Sequence, residues 1–207
     1  VVADAKALPP PLDPRMEAEI ARLRGASARH GGDVAGDLSG YRAALDAFER
    51  AGDVRGGCNA RISFAFALIQ LGAYVDARAE LTRAIEEARR LGLPNVETRA
   101  HQNLALIDAA EGDFTAALAT GERVAREAKS RGDERFEAWT RIYLARFAHC
   151  AGDFERARRE AELASDRLAS TPPAHAGAGR HGLLQGLPAV QNVQRPNVES
   201  IFIFIKK

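Results

Sequence analysis

Glycine recurs along this chain at a fixed interval. Gly72, Gly112 and Gly152 lie 40 residues apart, and a second series, Gly52, Gly92 and Gly132, keeps the same step. A constant period of this length is the signature of a helical repeat array, in which each unit buries its apolar face only by stacking on the next. The clearest unit runs from Asn95 to Gly132. It reads as two amphipathic helices joined by a tight turn at Glu111-Gly112-Asp113, with a near-copy on either side.

Five further position classes keep the register. Eight residues before the turn glycine stand Phe64, Leu104 and Leu144, and seven before it Ala65, Ala105 and Ala145. Two residues after it come Tyr74, Phe114 and Phe154, then Ala77, Ala117 and Ala157 at five, and Ala84, Val124 and Ala164 at twelve. Large apolar residues fill the space between helices, and small ones let two backbones approach. Glycine can take the left-handed conformation that ends a helix. Asp113 and Asp153 then follow as N-cap candidates.

A large-small pair before the turn, Gly-Asp-aromatic at the turn and alanines beyond it resemble the tetratricopeptide repeat. The chain is most similar to the longer variants of roughly 40 residues in bacterial signalling regulators. The resemblance covers residues 56 to about 170. It implies an all-α, right-handed superhelical array of antiparallel helix pairs, with the leading helix of each pair lining a concave groove. Gly121 and Ala161 stand where the family carries a bulkier residue, so looser packing is expected there.

The chain divides accordingly. Residues 1–14 carry Pro9, Pro10, Pro11 and Pro14 and read as an extended linker, consistent with an upstream domain. Residues 15–55 read as a degenerate first repeat, weakened by the glycines of GASARHGGDVAGDLSG, with Tyr41, Ala44, Leu45 and Phe48 keeping a buried face. Residues 56–172 hold three repeats. The leading helix of the first, about Ala60–Leu71, is apolar nearly all round and its partner spans about Val75–Leu91. Pro94-Asn95 stops one helix and caps the next, and Pro172-Pro173 closes the last. In residues 173–207 the period fails: AHAGAGRHG is glycine-rich and IFIFI is β-like. Three readings of this tail stay open: a non-native end, a segment folded back on the last repeat, or a motif for another protein.

Composition excludes several classes. A hydrophobic share of 46% and a charged share of 28% are ordinary for a globular protein, and a net charge of +1 gives no electrostatic case for nucleic acid or acidic membranes. No apolar run approaches the ~20 residues that span a bilayer, and the first residues do not read as a secretory signal. Only Lys6, Lys129, Lys206 and Lys207 of the 29 basic residues are lysines, a bias expected of a GC-rich bacterial genome. Cys58 and Cys150 share no metal-binding spacing and are expected as reduced thiols in a cytoplasmic protein.

No metal, cofactor or catalytic motif stands out. The five histidines are scattered, and His149 and Cys150, adjacent on one helix, point about 100° apart. By resemblance, the groove-facing places fall three, six, ten and thirteen residues before each turn glycine. They are Asn59, Ile62, Phe66 and Ile69; then Arg99, Gln102, Leu106 and Ala109; then Trp139, Ile142, Arg146 and His149. No lysine occupies these places, which disfavours the lysine clamp that some members close on a peptide's terminal carboxylate. Arg99 and Arg146 suit an acidic or mixed peptide. The resemblance thus implies a protein- or peptide-binding scaffold or sensor module, such as part of a bacterial kinase or transcription regulator. The rivals are a self-associating adaptor joined through the C-terminal end and an enzyme with a groove site.

Overall fold

A computed structural model describes residues 13–170, and those residues form eight α-helices and no strand. The helices are α1 (Pro14–His30), α2 (Val34–Arg50), α3 (Val54–Gln70), α4 (Tyr74–Arg90), α5 (Pro94–Ala110), α6 (Phe114–Ser130), α7 (Glu134–Cys150) and α8 (Phe154–Ser170). Each is 17 residues long. Their starts fall every 20 residues, so the two glycine series interleave into one cadence with a left-handed glycine at every turn.

The turn chemistry explains the cadence. At Gly112, φ is 90°, a left-handed value that breaks the helix and suits a residue without a Cβ. Its N–H bonds Ala109 O at 3.2 Å, and the next N–H, of Asp113, reaches back to Asp108 O at 2.9 Å. This closure satisfies the last carbonyls of α5. Asp113 then accepts from Ala116 N at 2.9 Å and caps α6. Asp33, Asp53, Asp133 and Asp153 do the same for their helices. The aspartate is missing at two turns: Ala73 leaves α4 without a side-chain cap, whereas after Leu93 proline opens the helix, Pro94 being the first residue of α5. Asn95 therefore lies inside the first turn of α5 and is not its cap. Pro14 likewise opens α1, and the Asp53 cap starts α3 at Val54, well before the expected Ala60. Residues 1–12 and the whole tail from Thr171, Pro172-Pro173 included, lie outside the described residues.

The chain separates at Ala100, within α5, into two compact units. In the first, α1 packs on α2, α2 on α3 and α3 on α4. Ala18, Ala44, Leu45, Ala47, Phe48 and Ala60 form a common core, and Tyr41 is buried beside them in α2. The glycine-rich stretch is where helices of this unit approach closely. A Cβ on Gly40 would lie 2.5 Å from Gly25 Cα, so these two glycines are where the backbones of α1 and α2 touch. Gly36 and Gly56 similarly make room for Ala28 and the Phe48 ring. Helix α3 is buried nearly all round, as its composition predicts.

In the second unit α6 packs on α7 and α7 on α8. The repeat classes hold except at Leu104, which is half-buried: Ala105, Ala117, Val124, Leu144, Ala145, Ala157 and Ala164 are all buried. Gly121 corrects the expectation of loose packing, because a Cβ there would meet Leu144 Cδ2 at 2.7 Å. The Leu144 side chain fills the space that a bulkier residue would take. Ala161 in turn packs on Ala145. The turn aromatics are less buried than expected. Tyr74 and Phe114 are half-buried, and Phe154, in the last described helix, is 56% exposed.

Candidate ligand-facing surface

On α3, Asn59, Ile62, Phe66 and Ile69 share one face by their spacing of three and four. Ile62 and Ile69 are each 2% exposed, so they are core residues rather than open surface. Asn59 and Phe66 remain half-buried. Asn59 Nδ2 donates to Arg55 O at 3.2 Å, while its Oδ1 accepts from Arg99 Nη1 at 3.4 Å. Asn59 and Arg99 are 40 residues apart. Equal places in successive leading helices therefore adjoin, which is what a stacked repeat requires and a coincidental run of helices does not.

Phe66 is not free for a ligand. The guanidinium of Arg29 lies over its ring at 4.9 Å and over that of Tyr41 at 4.8 Å. Arg29 also donates to both carboxylate oxygens of Asp37, at 2.9 and 3.0 Å, and to Ser63 O at 3.0 Å. Gln70 Nε2 adds a longer contact to Asp37, 3.4 Å. Asp37 is fully buried at the place held by Ala77, Ala117 and Ala157 in the later repeats. Burial pushes its carboxyl above the ordinary range, with Arg29 pulling the other way. The apparent erosion of the first repeat is thus a polar knot joining α1, α2 and α3. Sequence reasoning passed over Arg29, although it stands three residues before Gly32, the register place of Ile69.

The second unit carries the remaining stripe. Leu106 and Ile142 are buried at 5% and 7% exposure, while Ala109, Trp139, Arg146 and His149 are half-buried. Gln102 is buried with neither end of its carboxamide hydrogen-bonded. The His149 ring stands edge-on to Phe154 at 5.4 Å, with its Nδ1 buried and unpartnered. Four of the candidates, Ile62, Ile69, Leu106 and Ile142, are therefore packing residues, and the accessible set is sparser than the register implies.

A second, part-buried layer of charge backs these helices. Arg61 Nη1 bonds Glu80 at 2.6 Å, and two repeats on Arg141 Nη1 bonds Glu160 at 2.8 Å. Arg61 also meets Glu49 and Glu87, and Arg141 meets Glu137, which is 1% exposed and is further paired with Arg167. The intervening repeat has His101 and Thr120 at these places, so the alternation is visible in the sequence as a step of 80. Cys58 donates to Glu87 at 3.3 Å, and burial followed by that carboxylate pushes its thiol up to about 11. Burial also raises Cys150, against the nearby Arg146. Both thiols are free and held in the protonated, unreactive form.

Among the described residues no group of three or more His, Cys, Asp or Glu is placed to hold a metal, and no helix is long and apolar enough to cross a membrane. Comparison with protein-family models finds none that matches the chain, and comparison with curated proteins finds none that matches either.

Proposed function

We propose that the chain is a non-catalytic protein- or peptide-binding module. It is read as a tetratricopeptide-like array of antiparallel helix pairs with a right-handed superhelical course. The observation that carries this reading is the contact between Asn59 and Arg99, one full period apart. It sets equal register places of α3 and α5 side by side, and rows of such places form the extended binding surfaces of repeat proteins. Each unit contributes accessible residues of the kind that anchor partners: Arg99 beside Asn59 in the first, Trp139 and Arg146 in the second. Arginine in these places favours a segment bearing carboxylates. A role as the scaffold or sensor part of a cytoplasmic bacterial signalling protein fits this chemistry.

The test is affinity capture from a bacterial cytosolic extract with the full chain, compared with Arg99→Ala and Arg146→Ala singly. A defined partner set that thins in either variant supports the reading. Identical sets remove that arginine from it, and no partner at all contradicts a binding module. A second reading, self-association through α8, draws on the exposure of Phe154 and Leu163, 56% and 43%. Leu163→Arg, which gives α8 the residue type of Arg83 and Arg123 at the same register place, should shift the sedimentation of such an assembly toward monomer.

A further inference from the structure

Buried polar groups in folded chains are almost always paired. Among the described residues, buried side-chain nitrogens and oxygens without a hydrogen bond belong to Arg61, Gln102 and His149. Arg61 Nε is accounted for electrostatically, since Glu87 Oε2 lies 3.6 Å away. The other two residues belong to the second unit. Both fall on the candidate stripe, Gln102 ten residues before Gly112 and His149 three before Gly152.

Register sharpens the anomaly at Gln102. The same place in the neighbouring repeats holds Ile62 and Ile142, both buried. The fold accommodates isoleucine there twice, yet the middle repeat carries a carboxamide that is 4% exposed and bonded at neither end. Packing gives no reason for an amide at this place, and hydrogen bonding within the chain gives none either. A carboxamide presents an acceptor and a donor side by side. Its complement must offer a donor and an acceptor in the same way. Carboxylates and phosphates, which only accept, would leave the Gln102 oxygen unmatched, whereas a peptide main chain offers both at every residue.

We propose that Gln102 is the docking point for the main chain of an extended peptide, its Oε1 accepting a peptide N–H and its Nε2 donating to a peptide carbonyl. This rests on the peptide-binding reading above and names what that surface recognises. The rotatable bonds of the glutamine side chain let the carboxamide turn from its closed position to meet the strand. His149 Nδ1 pairs with the main chain further along. Seven register places separate the two residues along the helix axes, about 10 Å at the α-helical rise, and a helix spacing of about 8–10 Å adds to it sideways, so an extended chain covers the gap in about four residues. Recognition through the main chain fixes the strand while leaving its sequence to be read by flanking side chains such as Trp139 and Arg146.

The test passes a pool of random-sequence peptides over the immobilised full chain, wild type or Gln102→Ile. It is then repeated with a pool methylated at alternate main-chain nitrogens. Gln102→Ile restores the residue of the adjacent repeats, so Tm should hold or rise, while retention falls roughly tenfold, the equivalent of one or two lost buried hydrogen bonds. The methylated pool should be lost from the wild type to a similar degree, and His149→Phe, which keeps the ring against Phe154, should weaken retention separately. Equal retention by both proteins and of both pools overturns main-chain docking but leaves a surface that reads side chains. Retention of the unmodified pool by neither protein overturns the peptide-binding reading along with it. A lowered Tm for Gln102→Ile with unchanged retention gives the amide a structural role and overturns the proposal.

Discussion

Asp37 and Gly40 show how single residues in the first repeat depart from the pattern while its helices stay packed. Asp37 is buried at an alanine place, and its carboxyl is held above its ordinary value of 3.8 by burial despite the Arg29 fork. The folded form therefore binds a proton more readily than the unfolded one. Its contribution to stability is greatest below the ordinary carboxylate value and is lost as pH rises through the raised one. Urea unfolding of wild type and Asp37→Asn should show a stability difference that shifts against the wild type as pH climbs from about 4. A difference moving the other way would mean that the Arg29 bonds outweigh burial. Gly40→Ala sets a gain of roughly 1 kcal/mol in helix propensity against a Cβ driven to 2.5 Å from the Gly25 backbone. Backbone cannot yield as a side chain does, so overpacking wins, and the variant should lose about 1–3 kcal/mol in the same assay. Gly121→Ala, which meets only the movable Leu144 side chain, should cost less.

At the scale of the helix, the sequence was most legible where one chemistry repeats. The glycine turns, the Asp113 and Asp153 caps and the small apolar places at five and twelve residues beyond the turn all stand as the register predicts. Pairing across helices was not legible, because it depends on residues that alternate from repeat to repeat. Arg61 with Glu80 and Arg141 with Glu160 recur only at every second unit, and Arg29 with Asp37 occurs once. The candidate site was half-legible for a related reason. A stripe at three, six, ten and thirteen residues before the turn fixes which helix face a residue shares but not how exposed it is, and Ile62, Ile69, Leu106 and Ile142 are buried on it. Buried ion pairs add little net stability but are costly to break. Arg141→Ala leaves Glu137, 1% exposed, with only Arg167 in partnership and should cost about 3–5 kcal/mol in chemical unfolding. A loss under about 1 kcal/mol, the scale of an exposed pair, would show that water replaces the guanidinium.

For the molecule as a whole, near-identical units predict stability that is local, each part responding to its own contacts. Hydrogen exchange should register Arg61→Ala as lost protection in α3 and α4 and Arg141→Ala as lost protection in α7 and α8. Uniform loss along the chain in both variants would instead mark one cooperative core. Stacking of the repeats requires places one period apart to lie side by side. In a background lacking Cys58 and Cys150, Asn59→Cys with Arg99→Cys should be joined by a short rigid bismaleimide as readily as the single-turn control Asn59→Cys with Arg55→Cys, since both pairs are in contact. A control that links while the Asn59–Arg99 pair does not would contradict the stacked register.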